Sequence, residues 1–265
     1  MKKTTTSKNP DIEIHNDDPF ELRSPDEMLR ELEPLIHIYG NRVVCDTDKR
    51  GYPTPQNRNP AELVVDASEG FIPLWERNET LRWRFQERSL QAFRDPEAAR
   101  TATRQLFADS VIAWGDAAPI QFTQSNNAWD FEIAFRSQDR CNSDGGCVLA
   151  SAFFPGSARE TLVVYPKFFT QNRQERLETF IHEIGHIFGL RHFFARISEA
   201  DAPSELFGSQ DAFTIMNYGT QSILTDRDKS DLQELYRLVW SGQLTQISRT
   251  PIRFFRPFHN SGRLR

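Results

Sequence analysis

Three histidines and a glutamate lie within residues 182–192, which read HEIGHIFGLRH. His182 and His186 are four positions apart, so on an α-helix their imidazoles would share one face and could bind one metal ion. Glu183 lies beside the first histidine, where a carboxylate can act as general base on water that a metal activates. Zinc binds imidazole well, and a catalytic zinc keeps one open position beside three protein ligands. The residue types and their spacing therefore predict a hydrolytic zinc site.

Gly189 lies where the helix that carries the first two histidines is expected to end. Glycine readily adopts the positive φ of a sharp helix exit. The chain can then turn and present His192 as the third ligand. The alternative is a helix with ordinary surface histidines. The concentration of three of the chain's six histidines in this one stretch favours the metal site.

This stretch resembles the long zinc motif of the metzincin metallopeptidases. A second segment, residues 214–219 with the sequence TIMNYG, is similar to the Met-turn of that clan, in which a methionine packs beneath the metal site. The resemblance implies a zinc-dependent endopeptidase that acts on proteins or peptides and holds one catalytic Zn²⁺. The implied roles are metal ligands for His182, His186 and His192, general base for Glu183, and structural roles for Gly189 and Met216.

Residues 144–156 are similar to a segment of the matrixin branch of this clan, in which an Asp-Gly loop leads into an edge strand that ends in Pro-Gly. That branch holds its substrate antiparallel to the strand through main-chain hydrogen bonds. The resemblance implies a strand from Val148 to Phe153. The substrate-binding residues it implies are Val148, Leu149, Ala150 and Ser151.

Several positions depart from the matrixin pattern. Ser151 occupies the place of a histidine that binds a second, structural zinc in matrixins, so a second zinc is not expected. Calcium sites are not evident, although Asp144 could contribute to one. Tyr218 is more similar to the astacin and serralysin branches, where this tyrosine is an extra ligand or a transition-state donor. It is a candidate catalytic residue, with a core tyrosine as the alternative. Phe193 fits none of these branches, so the sequence identifies the clan and leaves the branch open.

The three cysteines leave two questions open. Cys45 and Asp46 precede the zinc domain, and matrixins and astacins use a propeptide cysteine or aspartate, respectively, to block zinc. The surrounding residues lack the proline-and-glycine signature of the matrixin switch, so latency and an ordinary buried thiol or turn remain alternatives. Cys141 and Cys147 bracket a short loop that can close as a disulfide or stay reduced.

Hydrophobic periodicity outlines the elements that position the site. Residues 80–85 alternate as a strand, and Asp95-Pro96 begins an amphipathic helix of about five turns. Asn172 can cap the helix that carries the zinc motif, with Glu175 completing a capping box. Further strands are predicted at 119–122, 131–135, 147–153 and 161–165, and a last helix at 228–240. The order predicts an α/β (α+β) domain. The resemblance implies a metzincin-like zincin domain with a mixed, mostly parallel twisted sheet, an antiparallel edge strand, a long active-site helix, a Met-turn and a C-terminal helix.

Composition shifts divide the chain into four parts. We predict a flexible N-terminal segment (1–22), a pro-like or packing extension (23–69), a catalytic domain (70–242) and a C-terminal tail (243–265). The net charge of −5 gives no basic field for nucleic acid. No apolar stretch is long enough to span a membrane.

The N-terminus shows no apolar core of a secretory signal, so an intracellular or non-classically exported protein is expected if the chain is complete. The substrate, the cleavage specificity, the compartment and the oligomeric state are not determined by the sequence. A non-proteolytic or latent zinc domain that binds peptides or a protein partner is the alternative function.

Overall fold

A computed structural model of the chain describes residues 19–20, 42–44, 63–67, 70–142, 145–192, 204–207, 214–216 and 223–261. The strands are β1 Arg42–Val44, β2 Leu63–Asp66, β3 Ile72–Trp75, β4 Thr80–Phe85, β5 Gln121–Gln124, β6 Phe131–Phe135, β7 Gly146–Val148, β8 Ala150–Ser151, β9 Glu160–Val164, β10 Ser204–Phe207, β11 Gln246–Ile247 and β12 Thr250–Phe255. The helices are α1 Glu87–Leu90, α2 Pro96–Trp114, α3 Pro166–Phe169, α4 Arg173–Ile187, α5 Asp226–Trp240 and α6 Phe258–Ser261.

The main sheet has five strands in the order β5-β4-β6-β9-β8. All neighbours are parallel except β8, which pairs antiparallel with β9 at one edge. Leu81, Trp83 and Phe85 on β4 are buried, as their alternation predicts. The predicted mixed, mostly parallel sheet with an antiparallel edge strand is therefore confirmed. β5 begins at Gln121, two residues after the predicted start at Pro119, because proline has no N–H for a sheet ladder.

The long helices begin at polar caps. Asp95 accepts hydrogen bonds from two backbone N–H groups at the start of α2, and Asn172 and Glu175 form the predicted capping box of α4. α5 begins two residues earlier than predicted, because Thr225 and Asp228 form a second capping box. Within the described residues, no helix combines the length and the apolar character that crossing a membrane requires.

The strand predicted over residues 147–153 is wrong in its extent. Its C-terminal part pairs with β9 only through Ala150–Ser151, and the chain then approaches Pro155, which cannot donate to a ladder. Its N-terminal part, β7, pairs with β1 instead of the main sheet. Cys147 is joined to Cys141 by a disulfide, the option that the sequence left open. The disulfide joins the middle residue of β7 to Cys141 and closes the loop that leads into this strand.

Three small sheets lie outside the predicted set. β1 pairs parallel with β7, β2 pairs antiparallel with β10, and β12 lies between β11 and β3. β12 thereby attaches residues from the predicted C-terminal tail to the start of the predicted catalytic domain.

Candidate metal centre

The helix α4 places two histidines and the glutamate on the inner side of the domain. His182, Glu183 and His186 are all buried, with relative exposures of 8%, 1% and 0%. Burial of three polar side chains on one helix is costly unless they have polar partners or a ligand. α4 also lies against α2, where the indole N–H of Trp114 donates to Ile181 O at 3.0 Å. The helix is therefore a fixed support for the two imidazoles.

Gly189 turns the chain out of α4 as predicted. Its φ of +96° is in the left-handed region that favours glycine. Its N–H donates to His186 O at 2.8 Å, and the N–H of Leu190 donates to Gly185 O at 3.0 Å. This pair of bonds ends the helix in one sharp turn. His192 follows the turn and is fully buried.

The three imidazoles converge on one point. Nε2 of His182 lies 3.0 Å from Nε2 of His192, and Nε2 of His186 lies 3.1 Å from each of the other two. Nδ1 of His182 faces Ile215 O and Nδ1 of His186 faces Leu190 O, both at 2.7 Å. A carbonyl only accepts, so these two Nδ1 atoms donate, which leaves the Nε2 atoms of His182 and His186 to bind a metal.

This donor set fits a zinc ion. Zn–N bonds of about 2.0–2.1 Å in a tetrahedron place the nitrogens roughly 3.3 Å apart, close to the observed separations. Second ring nitrogens that donate to carbonyls fix ligand orientation in zinc sites. Among the described residues, the three histidines are the one group of three or more His, Cys, Asp or Glu side chains close enough to share an ion.

Met216 packs against the helix at the point between the two ligands. A Cβ added to Gly185 would lie 2.5 Å from the Met216 sulfur and 3.4 Å from Cζ2 of Trp114. A larger residue at position 185 would therefore force Met216 to move, a constraint that the zinc motif alone does not reveal. Met216 is 2% exposed and lies next to Ile215, whose carbonyl accepts from His182.

Asp228 on α5 holds the turn that contains this methionine. Its carboxylate accepts from the hydroxyl of Thr214 and, at 3.4 Å, from the N–H of Ile215. The same carboxylate accepts from the N–H of Thr225 at 2.8 Å. Asp228 is 5% exposed. The sequence analysis placed Asp228 only within a helix. Its position three residues after Thr225, a residue type that often caps helices, was the signal that could have revealed its role.

Comparison with known proteins shows which family this centre resembles. The family model described as Matrixin matches residues 74–202. These residues are similar to the zinc metallopeptidase domain of the matrixins. Stromelysin-3 of Homo sapiens is 27% identical over 220 residues, which are 77% of this chain and 42% of the relative. Stromelysin-3 of Rattus norvegicus is 31% identical over 121 residues, which are 42% of this chain and 25% of the relative.

Both comparisons point to the matrixin branch of the metzincin clan, which the sequence left open. The chain spans about two fifths of the length of the human stromelysin-3 that it matches. The matrixin match ends at residue 202, before Met216 and before the C-terminal strands. The predicted metallopeptidase resemblance is confirmed for the matched residues.

The structure describes only some of the remaining predicted site residues. Val148, Leu149 and Ala150 are buried and Ser151 is half-buried at the edge of the main sheet. The other candidates lie outside the described residues, and these are Tyr218, Cys45, Asp46, Asp144 and Phe193.

Proposed function

We propose that this protein is a zinc-dependent endopeptidase that hydrolyses peptide bonds in proteins or peptides. The observation that carries the proposal is the group of three buried imidazoles whose Nε2 atoms lie within 3.1 Å of one another. The buried carboxylate of Glu183 lies on the same helix, next to the first of these imidazoles. The matrixin match over residues 74–202 supports the same reaction class.

His182, His186 and His192 would hold one zinc ion through Nε2. Zinc, when bound, supplies a Lewis acid that polarises the scissile carbonyl and makes water acidic enough to be deprotonated near neutral pH. Glu183 accepts the proton of the attacking water and delivers it to the leaving amine. A single carboxylate can do both because it is regenerated when the amine departs.

Elemental analysis and a mixed peptide library would test the proposal on the purified full-length chain. One zinc per chain, together with cleavage that a chelator abolishes and added zinc restores, supports the endopeptidase. One zinc per chain without cleavage, even after the N-terminal segment is removed, supports the non-proteolytic domain that binds peptides or a partner. A chain without zinc contradicts both.

Tyr218 is proposed as a hydrogen-bond donor to the oxyanion of the transition state. It follows the methionine of the Met-turn by two positions. Removing one such donor typically lowers kcat by about 10²–10³-fold. Tyr218→Phe is therefore expected to lower kcat for peptide cleavage while the zinc content stays at one ion per chain. An unchanged kcat would assign this tyrosine to packing.

The substrate is proposed to bind along Val148, Leu149, Ala150 and Ser151. An extended peptide can add to an exposed strand edge through main-chain hydrogen bonds. β8 is the edge strand of the main sheet and lies next to α4 in the packed domain. The position of these residues beside the zinc-site helix supports this assignment.

A latent form is supported by the pairing of the N-terminal residues. β1 lies parallel to β7, with Arg42 opposite Gly146 and Val44 opposite Val148. Chain residues therefore already occupy part of the edge that is proposed for substrate. Cys45 and Asp46 follow directly after β1, and a thiolate or carboxylate is a zinc ligand. We propose that one of them blocks the metal in the uncleaved chain.

Phe20, which precedes β1 in the N-terminal segment, supports the same proposal. It lies in the stretch predicted to be flexible, yet its side chain is 4% exposed. Its ring stacks on Phe169 at 5.2 Å and meets the edges of Phe93 and Phe168. The guanidinium of Arg176 lies 4.8 Å from its centroid. These contacts attach the N-terminal segment to the catalytic domain at a second position, 22 residues before β1 begins.

Deleting residues 1–62 is expected to raise the rate of peptide cleavage at least tenfold, because the deletion uncovers β7 and removes both candidate metal ligands. Cys45→Ser and Asp46→Asn in the full-length chain then separate the two ligands, since only the true one should raise the rate. A folded, zinc-loaded deletion variant with an unchanged rate would contradict latency. A variant that unfolds would assign residues 1–62 a structural role.

A further inference from the structure

Strand β3 lies between the C-terminal strand and the turn that leaves the zinc-site helix. All four of its residues, Ile72–Trp75, are buried. β3 pairs parallel with β12, from Ile72 opposite Ile252 to Trp75 opposite Phe255. On its other side, Pro73 O and Cδ2 of Leu74 lie 3.1 Å from the position of a Cβ on Gly189. β3 is thus in contact with both the C-terminal residues and the turn.

Trp75 and Tyr236 occupy the carbonyl end of α4. The indole N–H of Trp75 donates to Ile187 O at 2.6 Å, and the hydroxyl of Tyr236 donates to Phe188 O at 3.0 Å. The last carbonyls of a helix have no partner inside the helix, so these two bonds satisfy groups that would otherwise be buried alone. Burial raises the pKa of the Tyr236 hydroxyl well above its ordinary value, which keeps it protonated as a donor. That hydroxyl also accepts from the N–H of Trp75 at 3.3 Å.

The turn that these bonds fix determines the placement of two imidazoles. Leu190 O, one residue past Gly189, accepts from Nδ1 of His186 at 2.7 Å. His192 follows Leu190 by two positions. A shift of the carbonyl end of α4 would therefore rotate one imidazole and displace another.

The C-terminal residues hold β3 from behind. The N–H of Glu76 donates to Phe255 O at 2.9 Å, which extends the β3–β12 ladder. Nε and Nη2 of Arg256 both donate to the carboxylate of Glu76. Both side chains are half-exposed, so this ion pair by itself contributes little to stability. His259 donates its backbone N–H, at 2.8 Å, and its Nδ1–H to Asp130, whose carboxylate is buried. Hydrogen bonds to a buried carboxylate are stronger.

We propose that Trp75 is a positioning residue for the zinc ligands. We also propose that residues 246–261 are part of the structure that the zinc site needs, because they hold β3, the strand that contains Trp75. The indole N–H of Trp240 closes this arrangement by donating to Trp75 O at 3.0 Å. The proposal rests on the proposed zinc function of the three histidines. It adds residues beyond position 202, where the matrixin match ends.

Trp75→Phe tests the role of the indole, because it keeps an aromatic ring and removes the donor to Ile187 O. Zinc affinity, measured by competition with a chromogenic chelator, is expected to fall about tenfold, the lower end of what loss of an outer hydrogen-bond partner costs a metal site. In peptide cleavage, kcat should fall and KM should stay nearly constant. Trp83→Phe is the matched control, because the Trp83 ring packs on Phe85 and Phe107, neither of which belongs to the turn.

Equal zinc affinity in the Trp75→Phe and Trp83→Phe variants would overturn the positioning role. Zinc affinity is measured without substrate, so failure of this proposal is distinct from failure of the peptidase proposal.

A chain that ends at Gly242 tests the role of the C-terminal residues. It is expected to lose at least as much zinc affinity as Trp75→Phe, and unchanged affinity would show that the zinc site does not need residues 246–261. If that chain does not fold, His259→Ala in the full-length chain replaces it and is expected to lower zinc affinity, with an unchanged affinity giving the same conclusion.

Discussion

Glu183→Ala is expected to lower kcat/KM for peptide cleavage by roughly 10²–10⁴-fold, the range that a positioned general base contributes. The zinc content should remain one ion per chain, because the three converging Nε2 atoms belong to other side chains. The fold should also persist, since alanine is a good helix former and Glu183 lies inside α4. The separation of lost activity from retained metal would assign the carboxylate to proton transfer.

Glu183→Gln is the sharper companion variant, because the amide keeps the volume of the buried side chain and cannot accept the proton. Both variants should lose activity to a similar degree. For both variants and the unmodified chain, we would measure the zinc content, the thermal unfolding temperature and the rate of cleavage of the best library peptide. Full activity in either variant would sink the assignment of Glu183 as general base.

Gly185→Ala is expected to have a large structural effect for the addition of a single methyl group. The added Cβ would lie 2.5 Å from the Met216 sulfur, well inside van der Waals contact, and 3.4 Å from the Trp114 ring. Overpacking of this kind costs typically about 1–3 kcal/mol. Because Gly185 lies between His182 and His186 on the same helix, we expect zinc affinity to fall together with the free energy of unfolding.

A double-mutant cycle identifies the cause of this loss. Met216→Ala removes the sulfur and should itself destabilise the protein through a cavity. The double variant with Gly185→Ala should be less destabilised than the sum of the two single variants, because the new methyl group then has space. Additive losses would show that Met216 is not what restricts residue 185. Ala113→Gly on α2, which is half-buried, is a control for the general effect of one methyl group in a helix.

The candidate site was predictable from sequence where it is local. The imidazoles at positions 182 and 186 share a face through helix periodicity alone, and a glycine at 189 signals the helix exit. The predicted capping box at Asn172 also acts within four residues. Such features depend on backbone geometry over one or two turns, which a sequence window contains.

The edge strand was predicted less well than the helices and the zinc motif. The extent of a strand depends on its partners elsewhere in the chain. Residues 147–153 were predicted as one strand, but Gly146–Val148 pair with β1 and Ala150–Ser151 pair with β9. Both interactions join segments that pattern analysis treats separately. The pairing of β12 with β3 was also missed, because it joins residues about 180 positions apart.

The amino-acid sequence by itself determined the class of chemistry and the helices that carry it, because metal-ligand spacing, capping and hydrophobic periodicity are local properties. Only the tertiary structure decided why Gly185 must be small, why Asp228 is buried beside the Met-turn, and which strand supports the carbonyl end of α4. Each of these depends on which distant surfaces come into contact. Contact of this kind follows from packing the whole chain, so no short stretch of residues contains it.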